Sequence, residues 1–424
     1  LVDIDGRVVT LGATSPVMLV QAIGGGGGRL GTIGGTATLG IKSGTGQMNA
    51  AAGAVRVVSN ARAVLSSQGN DSAALVIQSI GGGGGTVNSV GGNAILGANS
   101  TGNLSSGAIT LNGPFSAQTN GNNSPGVVLQ SIGGGGGLAA DVDGDLISFG
   151  TFGTANTSSA DVTAISSDWQ IRTAGRNAPG LILQSIGGGG GVAYTSTASV
   201  DLGGSVTGNT SSGNISLTSK FNSLIQTQGI SSPAVIAQTV GGGGGYVGGD
   251  GTGQSAAVNL GGSGKQVGNS GTINLYLSPD TRLVTTGLQS QGLIAQSVGG
   301  GGGFTSQNGS QVNLGMDGGS GNAANVSIEN YGTISTRGLY SEGVIAQSIG
   351  AGGGNAGASK QSLSMGATNA SGDAGVVVFA NLGGIVQTTG DYSVGVVAQS
   401  VGGGGGRVGT ATGQLILGGD GANG

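Results

Sequence analysis

One block dominates this chain: an aliphatic run, Gln, a small residue, an aliphatic residue and five glycines, repeated eight times. Its glutamines are Gln21, Gln78, Gln130, Gln184, Gln238, Gln296, Gln347 and Gln399. The first and last lie 378 residues apart, so the mean repeat is 54 residues. Self-similarity at this period marks an array of stacked supersecondary units, each too small to bury its own apolar face. The tracts opening at Gly24, Gly81, Gly133, Gly187, Gly241, Gly299 and Gly402 are complete, whereas the one opening at Gly350 has Ala351 second. Residues 1–424 therefore read as a single repeat array. Because the pattern is already running at Leu1, the array is expected to be a piece of a longer chain.

Other features keep phase with the Gln. Nine residues earlier there is always a Gly, such as Gly69 or Gly229, and six residues earlier a Ser in seven copies, with Ala178 the exception. Pro16, Pro125, Pro179 and Pro233 stand five residues before it. Gly-x-x-Ser-Pro is turn chemistry, with Gly expected to supply a positive φ and Pro a fixed one, so a corner between two strands is predicted here. An aliphatic-x-large-Gly motif follows the Gln, closing on Leu39, Leu96, Phe149, Leu202, Leu260, Leu314, Met365 and Leu417. Pairs such as Ile109/Leu111 and Ile215/Leu217 precede the next Gln by about 20 residues, and pairs such as Ile225/Thr227 run into the corner Gly. These segments alternate with period two and are β-branched, which predicts strands; no 3.6-residue stripe is present.

The fold expected is all-β, a right-handed parallel β-solenoid. The strand classes recur every 16 to 20 residues, which favours three rungs near 18 residues in each repeat and a rod on the order of 110 Å at ~4.8 Å per rung. The competing arrangement makes each repeat one broad turn, placing Gln on Gln and tract on tract, in a stack only about 35–40 Å tall. In the Gln strand, Ile345, Gln347 and Ile349 share one face and Val344, Ala346 and Ser348 the other. Neither carries a charge, so both are expected to be covered. The Gln is expected to be a hydrogen-bonded structural amide, the sharper alternative being a ligand-binding ladder.

Each ordered Gly costs roughly 0.5–1 kcal/mol relative to Ala, so tracts at fixed phase need a reason only bare backbone supplies. Close backbone packing ranks first, either inside the solenoid or as a seam through which solenoids associate side by side. Positive φ at successive residues is the other account.

Composition removes several chemistries. Without His or Cys there is no imidazole base, disulfide or Cys/His zinc site, and a net charge of -4 leaves no basic stripe for nucleic acid. No apolar run approaches the length of a membrane helix, and this segment is not expected to insert. No cofactor is implied. Gly264 and Lys265 are followed by Gln266, so no phosphate loop is completed. Asp141, Asp143 and Asp145 flank Gly144 like part of a calcium loop, yet the later ligands are absent and a solvated acidic turn is the simpler reading. Asp201, Asp250, Asp280, Glu329 and Glu342 recur at no common phase, so a carboxylate-pair glycosidase is the alternative reading, and no enzyme is expected. Thr285, Thr286, Thr388 and Thr389 are too irregular for an ice-binding row, and Trp169 is read as a packing residue.

The segment Leu-Ile-Ala-Gln-Ser-Val-Gly-Gly-Gly-Gly-Gly at 293–303, its counterpart at 344–350, and Ile-x-Thr-x-Gly-x-x-Ser-x-Gly from Ile334 to Gly343 resemble the repetitive passenger regions of large bacterial autotransporters and related surface adhesins. The resemblance covers nearly the whole chain. It implies export across a Gram-negative envelope, a β-helical passenger and a C-terminal membrane barrel, of which no sequence is present here. The expected role is an extracellular structural and adhesive protein, a homo-oligomer or filament whose neutral Asn/Ser/Thr/Gln surface suits surface carbohydrate or matrix.

Overall fold

The computed structural model describes residues 1–40, 49–60, 62–97, 99–142, 144–195, 197–249, 255–262, 267–315, 320–366 and 371–418. Among them there are strands, turns and bridges and no helix, hence no helix able to cross a membrane. Every strand pair is parallel and joins residues one whole repeat apart: Gln78 stands beside Gln130, Leu96 beside Phe149, Ile109 beside Val162. Each repeat is thus one broad coil. The expected three rungs per repeat are overturned, and with them the 110 Å rod; eight coils at ~4.8 Å make a parallel β-solenoid about 35–40 Å tall. Spacing misled because consecutive strands lying around one coil have the same separations as strands stacked in thin rungs.

A single coil shows the route. Ile109–Gly113 and Phe115–Thr119 lead into the corner, Val127–Ile132 carries the Gln, and Gly136–Ala139 continues from the tract. Leu146–Phe149 is the Leu-Gly strand, and Asn156–Ser158 returns the chain towards Val162–Ser167 of the next coil. Stacking these gives three eight-stranded sheets, a fourteen-stranded sheet holding both glycine and Leu-Gly strands, and a five-stranded Asn/Ser sheet. In two later coils the glycine and Leu-Gly strands fuse, as Gly302–Leu314 and Gly353–Met365.

The core is divided by the Gln sheet. Val127 and Leu129 face a cluster with Leu111, Phe115 and Ile171, while Val128 faces the opposite way into one with Tyr194, Tyr246 and Phe304. Both faces of the Gln strand are covered, as its near-continuous apolar run predicts for a buried parallel strand. A third cluster, with Leu96, Phe149, Leu202 and Leu260, lies along the Leu-Gly strands. Fully burying each such aliphatic side chain contributes about 1.5–3 kcal/mol. Trp169 is a packing residue: it is 1% exposed, its ring centroid is 4.8 Å from that of Phe115, and its Nε1 donates to Gly113 O at 2.7 Å. The first and last coils keep half-exposed strands where inner coils bury theirs.

Candidate functional site

The eight glutamines form one ladder. Each Nε2 donates to Oε1 of the next, at 2.7, 2.7, 2.9, 2.9, 2.9, 2.8 and 2.7 Å from Gln21 to Gln399. The six inner glutamines are fully buried. From Gln21 to Gln296 the same Nε2 also donates to a carbonyl seven residues on, that of the last tract glycine, as from Gln130 to Gly137 at 3.0 Å and from Gln238 to Gly245 at 3.2 Å. The amide's donor capacity is spent inside the stack. The structural reading therefore holds, and the inner amides have no solvent face from which to bind a ligand.

The tracts also have their account. The fourth and fifth glycines have φ between 132 and 150° in all eight coils, a region closed to L side chains. A Cβ on Gly190 would lie 1.9 Å from Gly244 O in the coil above, and one on Gly191 would lie 2.0 Å from Gly137 O in the coil below. Both physical accounts act together at these positions. The opening glycines pass behind the Asn/Ser strand: a Cβ on Gly81 would meet the Ser105 carbonyl at 2.6 Å, and one on Gly187 the Ser211 carbonyl at 2.7 Å. Gly133, Gly241, Gly299 and Gly350 repeat this contact, and only in the final coil is Gly402 relieved of it, its nearest neighbour being 3.6 Å away. From the second to the seventh coil the tracts are buried by their own neighbours. The close packing is internal, which removes the tracts as a side-by-side seam.

At the corner, the positive φ is not on the Gly. It falls two residues later, on Thr14, Asp71, Asn123, Asn177, Ser231, Gln289, Tyr340 and Tyr392, all between 50 and 56°. The corner Gly is required by clearance instead, since a Cβ on Gly229 would lie 1.7 Å from Gly175 O. Ser Oγ accepts from the backbone N–H of the equivalent residue one coil earlier, as from Ser72 to Ser124 at 3.0 Å. A hydroxyl before the corner braces each turn. Thr227 Oγ1 donates to Ser232 O, and the same bond recurs from Thr10, Ser67, Thr119, Thr173, Thr285, Thr336 and Thr388, at 2.5 to 3.0 Å. Two of the threonines dismissed as irregular thus occupy a position used in every coil.

The acidic residues do not assemble into a centre. Among the described residues no three His, Cys, Asp or Glu side chains converge. Asp141 and Asp145 are exposed at a turn, while Asp143 and Asp250 lie outside the described residues, as do Gly264, Lys265 and Gln266. Asp280 and Glu329 are exposed. Glu342 is fully buried, pairs with Arg407 and accepts from Gln291 Nε2 at 3.0 Å. Burial pushes Asp201 up to about 6. It pushes Asp71 up to about 7, opposed by the hydrogen bond from Asn123 and reinforced by the charge of Asp141. Asp71 was not singled out in the sequence, because a corner Asp looks exposed until the next coil covers it.

The main concavity is also one the sequence reading missed. A cavity of about 400 Å³ is lined by Asn103–Ser105, Asn156–Ser158, Asn209, Thr210, Ser211, Val267 and Asn269. A second, of about 350 Å³, shares Val267 and Asn269 with it and continues past Asn322 to Asp373. Together they form a groove along the outside of the Asn/Ser sheet. Asn103, Asn156 and Asn209, 53 residues apart, were its legible signal.

No family model, no curated protein and no solved structure matches the chain.

Proposed function

We propose that the chain is an extracellular structural and adhesive protein of a bacterial surface, acting through repeated weak contacts along a stack of like coils. The observation that carries this reading is uniformity: sheet register, Gln ladder and corner brace recur from coil to coil without a catalytic interruption among the described residues. Contacts repeated on one rigid body gain avidity without a strong single site. Protease treatment of intact producing cells is the test: release of fragments containing these repeats is expected, and complete protection on intact cells with digestion after lysis would overturn the surface role.

A carbohydrate-active enzyme is the second reading, and one observation favours it: Asp71, raised to about 7, is close enough to Asp141 to feel its charge. Glycoside hydrolysis uses two neighbouring carboxyl groups, one of them held protonated. Release of reducing ends from polysaccharide, abolished by Asp71→Asn, would establish it over the adhesive one.

A further inference from the structure

We infer that the groove on the Asn/Ser sheet is a binding cleft for an extended neutral polysaccharide, lying parallel to the solenoid axis. The inference rests on the adhesive reading and names its ligand. Two rows of polar side chains run along the groove, two residues apart. One contains Asn49, Asn103, Asn156 and Asn209, and the other Ser105, Ser158, Ser211, Asn269 and Asn322. The asparagines of both rows are exposed. Several Oδ1 atoms are already engaged by the backbone of the following coil, as Asn156 Oδ1 is by Asn209 N at 3.0 Å and Asn269 Oδ1 by Asn322 N at 2.9 Å. That bond fixes the amide, and Asn156 Nδ2 also donates to Asn103 Oδ1 at 3.2 Å, which ties the row together. The Asn209 side chain makes no hydrogen bond to any described residue.

The chemistry selects the ligand class. Among the described residues, the first cavity is lined by no charged side chain and the second only by Asp373, a lining that offers neither phosphate nor uronate a cation. Amide and hydroxyl pairs match vicinal hydroxyls, which both donate and accept. Asn103/Ser105, Asn156/Ser158 and Asn209/Ser211 present such a pair in three successive coils, ~4.8 Å apart, close to the advance of one pyranose ring in an extended chain. A polymer of neutral hexoses would therefore meet the same contacts at successive rings.

Affinity electrophoresis and calorimetry of the whole chain test this, with β-1,4-glucan and β-1,4-mannan oligomers of increasing length against oligogalacturonate. Retention by neutral oligomers that strengthens with chain length is expected, with little retention of the acidic polymer. Asn209→Ala, which removes no protein hydrogen bond, should weaken binding about fivefold, the worth of one net hydrogen bond. Ser211→Leu, at an exposed site, should weaken it further by filling the groove, with an unchanged circular dichroism spectrum. No binding of any neutral oligomer, binding unaffected by both substitutions, or stronger retention of oligogalacturonate would overturn the cleft. The surface role is judged separately by the protease experiment, so either can fail alone.

Discussion

Gln130 Nε2 donates to Gly137 O at 3.0 Å while also reaching Gln184 Oε1 at 2.9 Å. This pair explains why Gln and the glycine tract are constant together. The amide is the buried partner of the backbone bend that the tract makes, and the tract's lack of side chains lets the amide reach it.

Gln184→Leu keeps the volume and deletes the amide. Gln238 Oε1 loses the donor that reached it from Gln184, Gln130 Nε2 loses the acceptor it had in Gln184 Oε1, and Gly191 O loses one of its bonds. A buried donor and a buried acceptor that lose their side-chain partners should together cost about 2–4 kcal/mol. Gln399→Leu, at a half-buried end of the ladder, removes only the acceptor of Gln347 Nε2 and should cost about half of that. Denaturant midpoints of the two variants, compared at equal slope, check the ordering.

The tolerance at Ala351 is local. Ala351 has φ 60°, and Gly300 at the same tract position one coil earlier has φ 72°, where L residues are admitted at modest cost. A Cβ on Gly300 would approach nothing nearer than 3.1 Å, whereas one on Gly134, also second in its tract, would lie 2.1 Å from Gly188 O. Gly300→Ala should therefore fold with nearly the parent melting temperature. Gly134→Ala should yield insoluble or much less stable protein. Yield and thermal melting of the two, side by side, decide the matter.

Asp71 carries a pH dependence. Its folded value of about 7 lies above the ~3.9 of an unfolded Asp. The folded state thus holds the proton more tightly, and stability falls as pH rises from about 4 to about 7, then levels off. Asp201, raised to about 6, adds a loss of the same sign over a narrower range. Asp71→Asn should raise the melting temperature at pH 8 and change it little at pH 4. The next two coils already have Asn123 and Asn177 at this corner position, with Asn177 Nδ2 donating to Asn123 Oδ1 at 3.1 Å, so an amide fits. Equal effects at both pH values would refute the assignment.

Glu342 depends on Arg407. Arg407→Met leaves a fully buried carboxylate with Gln291 Nε2 as its remaining side-chain donor, and a loss of about 3–5 kcal/mol is expected. Glu342→Gln in the same chain should recover most of it, since the neutral amide needs no counter-charge. A double-mutant cycle on thermal stability reads the coupling.

Much of this architecture could be read from residues alone. Period-two alternation in Ile109/Leu111 and Ile225/Thr227, the corner before each Gln, and the covered faces of the Gln strand follow from which side chains must leave water. The Asn/Ser strand escaped notice because polar triplets at Asn103, Asn156 and Asn209 resemble loop sequence when no groove is in view. The corner glycines were given the wrong reason, since the same residue type serves positive φ and close approach alike.

The sequence by itself determined that the chain is a repetitive all-β stack with bare backbone at fixed phase, because apolar alternation and glycine are constraints each strand meets locally. Only the tertiary structure decided that a whole repeat closes one coil. That choice is made by contacts between repeats: a buried Gln amide finds its partner in the Gln of the neighbouring coil, and the glycines clear one another only when tract lies on tract.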